Sequence, residues 1–168
     1  MLNKDDLLAS ILAECDICVH LATKIPDGGL DYRPSDTQRT TLELLRYTAF
    51  CAIGATVAMR DGHWEGYQEW AERCAELTAA DYPDAMERQK AALTEAFAAL
   101  TEAQLVGPAS HPMGHEITLE TALIELPLKW MAAYKMQLFL YAKAAGNDEI
   151  RTPDVWAGVT LPRDASPA

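Results

Sequence analysis

Positive charge is scarce in this sequence. Its 168 residues include 14 lysines and arginines against 25 aspartates and glutamates, so the net charge at pH 7 is −11 and the isoelectric point is about 4.7. A surface this acidic repels nucleic-acid phosphates and anionic lipid headgroups. We therefore expect no nucleic-acid partner and no binding to a membrane surface.

Long apolar runs are also missing. No stretch approaches the roughly 20 uncharged apolar residues that a membrane-spanning helix needs. The opening residues, MLNKDDLLAS, contain no apolar segment of signal-peptide length. We therefore expect neither a membrane span nor a leader, and we expect the chain to lie in the reducing cytoplasm.

Cysteine is limited to four positions, Cys15, Cys18, Cys51 and Cys74. Cys15 and Cys18 form a C-x-x-C pair, which raises a redox or metal interpretation. A thioredoxin-type pair follows a strand at the start of a helix, whereas this pair falls inside a predicted helix. A zinc site would need a second close pair. The pattern therefore favours buried, reduced thiols.

Recognisable catalytic patterns are absent too. The sequence has no Ser-His-Asp set, no phosphate-binding loop and no dinucleotide glycine fingerprint. His111 and His115 are four residues apart, but Pro112 and Gly114 between them disfavour a shared helical face. With Glu116 they form a candidate loop site for a metal ion, although a role in the turn is the simpler interpretation.

Apolar residues at helical spacing dominate what is present. They predict four long helices, over residues of about 5–24, 35–60, 83–102 and 118–145, the second capped by Ser35 or Asp36 and the fourth bent by Pro127. A short helix is predicted over 63–77, an extended excursion or hairpin over 104–117, and an irregular tail from about residue 147 that lies partly against the bundle. The sequence thus predicts one all-α domain over residues 1–168, an antiparallel four-helix bundle.

The second predicted helix is apolar on two opposite sides. Leu45 and Ala49 belong to one stripe, and Leu44 and Cys51 belong to the other. A helix of this kind must be covered on both sides. It therefore lies in the centre of the bundle, or one of its sides meets a second subunit and the protein is a homodimer.

Several short motifs occur in an order and spacing that agree with one family. They are Ile25-Pro26, Leu30-Asp31-Tyr32-Arg33-Pro34, Glu43-Leu44-Leu45 and Tyr134-Lys135-Met136-Gln137-Leu138, followed by Tyr141 and Gly146. Over residues of about 5–160 the chain resembles the DinB-like superfamily, which includes the YfiT-type proteins. The resemblance implies an up-down-down-up four-helix bundle that is often dimeric. Many members bind a divalent metal through three histidines, and some are thiol S-transferases or isomerases that use low-molecular-weight thiols.

The resemblance places the family's ligand histidines at positions that hold other residues here. One ligand lies shortly after the Glu-Leu-Leu motif and corresponds to Tyr47. The other two lie four apart on the fourth helix and correspond to Trp130 and Tyr134. An indole has no lone pair for a metal, and a neutral phenol is a poor ligand. We therefore predict no bound metal and no other cofactor.

Tyr47, Trp130 and Tyr134 are then expected to converge where relatives hold the metal, with Cys51 and Gln137 beside them. The rings either fill the site as core packing, which is the favoured interpretation, or line a cavity for a small apolar ligand. A third hypothesis makes Tyr47 or Tyr134 a general acid near Cys51. It is the weakest, because an unperturbed phenol has a pKa of about 10.

Two functions remain open from the sequence. The first is a metal-free, non-catalytic homodimer that binds a small apolar ligand or serves an interaction. The alternative is an enzyme of the thiol S-transferase type, or another DinB-like enzyme, that uses a displaced site. The absence of the three histidines favours the first function, whereas only the resemblance favours the second.

Overall fold

Four long helical segments form the body of the protein in a computed structural model that describes residues 3–162. The helices are α1 (Lys4–Ala22), α2 (Thr41–Thr48), α3 (Cys51–Asp61), α4 (Glu65–Cys74), α5 (Tyr82–Ala99), α6 (Glu102–Leu105), α7 (Leu119–Leu123), α8 (Lys129–Ala144) and α9 (Thr152–Ala157). The segments are α1, the bent pair α2–α3, α5, and α7–α8, which a π-helical turn (Ile124–Leu128) joins. The predicted all-α bundle is confirmed.

The core lies between these segments. Helix α1 packs against α5 and α8, and α3 packs against α4, α5, α7 and the π turn. Large side chains with almost no exposed surface fill the interior, among them Ile11, Leu44, Ile53, Tyr82, Leu93, Phe97, Leu123 and Met131. Both sides of α3 are therefore covered within one chain, so its apolar character gives no separate argument for a second subunit.

The second helix begins later than expected from the sequence. Thr40, not Ser35 or Asp36, is the N-cap, and α2 starts at Thr41. The Thr40 hydroxyl accepts the backbone N–H of Glu43 at 3.2 Å, and the Glu43 carboxylate accepts the backbone N–H of Thr40 at 2.7 Å. This reciprocal capping box satisfies two backbone N–H groups at the helix start. Ser35 and Asp36 do not form such a box with α2.

The second helix is also not continuous, as it was predicted to be. It breaks at Ala49 and Phe50, where the axes of α2 and α3 meet at 42°. A new helix start leaves its first backbone N–H groups without partners in the helix. At this buried position water cannot supply them, so the protein must do so.

Gln89 of α5 supplies the missing partners. Its side chain is fully buried, and its Oε1 accepts the N–H groups of Ala52 at 3.1 Å and Ile53 at 3.3 Å. Its Nε2 donates to the carbonyl of Thr48 at 2.8 Å. One amide thus bridges the two sides of the break and fixes the end of α2 relative to the start of α3.

A π-helical turn interrupts the fourth helix at Pro127, where the sequence predicted a kink. Pro127 has no N–H to donate and lies in the π-helical turn between α7 and α8. Beyond the turn, α8 contacts α1 on one side and α2 on another. Lys135 is buried and its Nζ lies 2.6 Å from Glu14 of α1, whereas the neighbouring Tyr134 lies against α2.

The predicted hairpin is confirmed. Strands β1 (Pro108–Ser110) and β2 (Glu116–Thr118) pair antiparallel, with Ala109 opposite Ile117. Gly114 turns the connecting loop with a φ of 85°, a value that glycine adopts without strain.

The tail is more ordered than predicted. Residues from 147 were expected to be irregular, but α9 forms there and packs against α1 and α8. Asp154 is buried and accepts hydrogen bonds from the backbone N–H of Arg151 at 2.8 Å and the hydroxyl of Thr160 at 2.7 Å. It also lies 2.9 Å from Nε2 of His20 on α1. Residues 163–168, which belong to the predicted tail, fall outside the described residues.

No single helix within residues 3–162 is long and apolar enough to cross a membrane. The pair α2 and α3 reaches the necessary length and hydropathy only when the two are joined across their bend. Most residues of that pair are buried in the bundle.

Candidate functional site

Tyr47, Trp130 and Tyr134 come together, as expected from the sequence. Tyr47 lies in the last turn of α2, and the other two lie one turn apart at the start of α8. The ring centroid of Tyr47 is 4.7 Å from that of Tyr134 and 6.5 Å from that of Trp130. All three side chains are half-buried, so the cluster reaches the surface.

Two further aromatic rings, which were not among the predicted site residues, extend the cluster. The ring of Phe50 lies edge-on to Tyr47 at 5.4 Å and to Tyr67 at 5.3 Å, and Tyr67 lies 6.4 Å from Trp130. Gly54 makes this approach of α4 to α3 feasible, because a Cβ there would sit 2.8 Å from the Tyr67 ring. We call the half-buried rings of Tyr47, Tyr67, Trp130 and Tyr134 the aromatic face.

Arg39, which was not among the predicted site residues either, lies across this face. Its guanidinium carbon is 4.1 Å from the ring centroid of Tyr47 and 5.8 Å from that of Tyr134. The position follows from the fold, since Arg39 immediately precedes the N-cap of α2 and Tyr47 lies two turns further along that helix. Within residues 3–162, Arg39 has neither an ion-pair partner nor a hydrogen-bond acceptor.

A shallow polar groove of about 370 Å³ borders the aromatic face at Arg39. Its lining residues are Arg33, Asp36, Thr37, Gln38, Arg39 and Glu43. The acids of this groove are already engaged. The carboxylate of Asp36 pairs with Arg33 at 3.5 Å, and that of Glu43 caps α2.

Cys51 lies beneath the face, at the start of α3. It has no exposed surface, and its Sγ is 3.5 Å from the Sδ of Met131. Burial raises the pKa of the Cys51 thiol far above its usual value. Burial also raises the pKa of Cys15 to about 12 and that of Cys18 well above normal. All four cysteines are free and buried, which confirms the prediction for the C-x-x-C pair.

The phenols of Tyr47 and Tyr67 are also unsuited to proton transfer at neutral pH. The hydroxyls of Tyr47 and Tyr67 are 3.5 Å apart. Burial is the largest cause that raises the pKa of Tyr47 and of Tyr67 above the usual phenol value. A general acid or base works best with a pKa near the operating pH. Both hydroxyls therefore serve as hydrogen-bonding groups.

Gln137, the fifth predicted site residue, has a different partner. Its Nε2 donates to the hydroxyl of Tyr141 at 2.5 Å, and the Tyr141 ring meets Tyr32 edge-on at 5.4 Å. No hydrogen bond of the described residues links Gln137 to the aromatic face. Its hydrogen bond thus lies within α8, and it is the Tyr141 ring that contacts the linker leading to Arg39.

His111 and His115 are brought together in the hairpin loop, with ring centroids 4.4 Å apart and ring planes nearly parallel. The Nδ1 of His111 accepts the backbone N–H of Met113 at 3.1 Å, which is a turn contact. His111 and Glu116 line a cleft of about 640 Å³ next to the end of α3. No group of three His, Cys, Asp or Glu side chains in residues 3–162 is arranged to hold a metal ion.

The aromatic face does not fit a divalent cation. Its donors would be an indole, which offers no lone pair, and neutral phenols, which are poor ligands. Burial raises the pKa of two of these phenols, Tyr47 and Tyr67. The guanidinium 4.1 Å from the Tyr47 ring adds a positive charge at the same place. The residues of this face therefore support no chemistry that depends on a metal ion held among them.

Comparison with solved structures gives a clear fold match. No family model matches the sequence, and no curated protein matches it. The fold is that of a DinB-like protein, YjoA of Bacillus subtilis, in its crystal structure at 2.30 Å resolution. The TM-score is 0.68 at 19% sequence identity, and the match covers 88% of this chain and 96% of that one. The DinB-like fold that the sequence motifs implied is thereby confirmed.

Proposed function

We propose that this DinB-like chain is a metal-free, non-catalytic protein that binds a small ligand at the aromatic face. One observation carries the proposal: four half-buried rings and the guanidinium of Arg39 meet at one surface position. Aromatic surface supplies most of the contact area in small-molecule sites, and a few polar groups orient the ligand.

The absence of an activated nucleophile supports a binding role over catalysis. Nucleophilic catalysis needs a nucleophile within hydrogen-bonding distance of a base. Across residues 3–162, no histidine ring is hydrogen-bonded to a hydroxyl or thiol side chain. The Cys51 thiol beneath the face is buried, and its raised pKa keeps it protonated at neutral pH.

Metal analysis tests the first half of the proposal. We expect protein purified without a metal-affinity tag to carry only trace metal by mass spectrometry, because the face offers no imidazole or carboxylate ligands. Stoichiometric zinc, nickel or iron that survives dialysis would overturn the metal-free assignment.

A ligand screen tests the second half. A compound that binds only the folded state raises the melting temperature with its concentration. We expect hits from a library of small aromatic compounds, and we expect Trp130→Ala to abolish their shifts. Trp156→Ala is the matched control, since Trp156 is two-thirds exposed on α9. Hits that survive Trp130→Ala would place the ligand elsewhere.

We also propose that the protein is a homodimer, which rests on the resemblance to DinB-like proteins. Sedimentation at micromolar concentration measures this directly. A single species of 18.5 kDa would contradict it.

A further inference from the structure

We infer that the ligand of the aromatic face is a planar, mainly apolar molecule with one anionic group, such as an aromatic carboxylate, and that Arg39 binds the anion. The inference rests on the proposed function and adds the chemical class of the ligand. It follows from the charges around Arg39, from the ring surfaces beside it and from the polar groups that remain without partners.

No acid next to Arg39 forms an ion pair with it in the described part of the chain. Glu43 accepts the backbone N–H of Thr40 at 2.7 Å, and that hydrogen bond is the main cause that lowers its pKa, to which the charge of Arg39 also contributes. Asp36 is 3.5 Å from Arg33. Both carboxylates are committed, and neither forms an ion pair with Arg39. The groove therefore contains a guanidinium that no carboxylate of the described residues contacts directly.

The guanidinium of Arg39 also keeps its hydrogen-bonding capacity. An arginine side chain has five N–H donors in a planar fork that matches a carboxylate in two parallel hydrogen bonds. The contact of Arg39 with the Tyr47 ring is a cation–π contact, and no side chain or carbonyl of residues 3–162 accepts a hydrogen bond from its guanidinium. An anionic group on the ligand would accept hydrogen bonds from these N–H donors.

The rings beside Arg39 offer apolar surface to the rest of the ligand. Tyr47, Trp130 and Tyr134 are half-buried, so part of each ring borders the surface near the guanidinium. Stacking or edge contacts between such rings and a planar ligand remove apolar area from water. The hydroxyl of Tyr134 forms no hydrogen bond in residues 3–162, so it offers the ligand a second polar contact.

The overall charge limits the anion to a small one. The chain has a net charge of −11, which repels polyanions. Arg33, the other cation of the groove, already pairs with Asp36. One guanidinium without a direct ion-pair partner in residues 3–162 matches one carboxylate or sulfonate better than a doubly charged phosphate.

The direct test compares three ligands of one shape, 2-naphthoate, 2-naphthamide and 2-naphthylmethylammonium, by isothermal titration calorimetry. We expect the acid to bind at least about tenfold more tightly than the amide, the difference that one charge-assisted bidentate pair supplies. Equal affinity of acid and amide would overturn the anion assignment and leave the proposed function standing. Tighter binding of the ammonium compound would also overturn it. Binding of none of the three would contradict both.

Arg39→Gln separates the anion contact from the ring contact. We expect this variant to bind the amide as the parent protein does and to lose the preference for the acid. Arg73→Gln is the matched control, because Arg73 lies 4.9 Å from the Trp70 ring in a similar exposed pair on α4. A preference for the acid that persists in Arg39→Gln would overturn the inference. Circular dichroism and melting curves check that both variants are folded.

Discussion

The second and fourth helical segments are both interrupted, the second by a bend and the fourth by a π turn, and three of the four rings of the aromatic face lie next to these interruptions. Tyr47 lies just before the break between α2 and α3, whereas Trp130 and Tyr134 follow the π turn between α7 and α8. Pro127 lies within the π turn of the fourth segment. The bend of the second segment, at Ala49 and Phe50, contains no proline or glycine, and its backbone groups are hydrogen-bonded by Gln89 of another helix.

This difference shows that a helix can be interrupted at a hydrogen bond from another helix as well as at a proline of its own. A proline removes a hydrogen bond of its own helix, so its effect is local. Gln89 instead offers a buried amide that competes for the backbone groups of the facing segment. The bend between α2 and α3 therefore depends on tertiary packing, and the two interruptions should respond differently to mutation.

Replacement of Gln89 should have the largest effect. Gln89→Leu leaves the buried N–H groups of Ala52 and Ile53 and the carbonyl of Thr48 without their partner. We expect a loss of about 3 kcal/mol in the free energy of unfolding, measured by urea denaturation. The matched control is Gln68→Leu on the exposed side of α4, with an expected change within about 0.5 kcal/mol. Similar losses in the two variants would mean that the amide does not hold the bend.

Removal of the Asp154 charge should have an intermediate effect, on the support that α9 gives to α8. Burial raises the pKa of Asp154, but the hydrogen bonds from Arg151, Thr160 and His20 outweigh it and lower the pKa below its usual value. We expect Asp154→Asn to weaken the docking of residues 147–162 by about 1–2 kcal/mol, measured by amide hydrogen exchange at pH 7.

The pH dependence of that docking has a definite sign. A group with a lowered pKa stabilises the fold above its unfolded pKa, and this stabilisation is lost as the pH falls through the folded pKa. For Asp154 the docking should therefore weaken below about pH 4. Asp154→Asn should remove this acid-dependent part of the exchange. If Asp154→Asn shows the same pH dependence of exchange as the parent protein, a group other than Asp154 is responsible for it.

Replacement of the proline should have the smallest effect. Pro127→Ala restores a backbone N–H, but α7 and α8 stay packed against α3 and α1 on either side of the turn. We expect a change of less than about 1 kcal/mol in urea denaturation, since surrounding packing commonly overrides local propensity. A larger loss of unfolding free energy for Pro127→Ala than for Gln89→Leu would mean that the proline, and not the buried amide, contributes more to stability.

Much of the fold was predictable because its signals are local. The apolar spacing predicted the long helices, Pro127 marked the place where the fourth helix is interrupted, and the glycines and prolines of residues 104–117 predicted the hairpin. Two missed features also had local signals. Thr40 and Glu43 form a readable capping box, and α9 has Pro153 near its start and Gly158 after its end.

The rest depends on contacts between distant segments. Gln89 lies 37 residues from Ala52, and neither residue marks a helix break in the sequence. The site shows the same division. Tyr47, Trp130 and Tyr134 were predicted through the resemblance to a family. Arg39 reaches Tyr47 along one helical segment, but its approach to Tyr134 depends on α8. Tyr67 joins the face only because α4 packs beside α2 and α3. Pairing by sequence spacing alone does not find such residues.

The bridge made by Gln89 has a consequence for the order of folding. Residues 41–61 leave the ribosome before residue 89 does, so their two helices reach solution while the amide that joins them is still to come. During that interval water must solvate the break. We expect the angle between α2 and α3, and with it the place of Tyr47, to be set late in synthesis, when α5 docks and displaces that water.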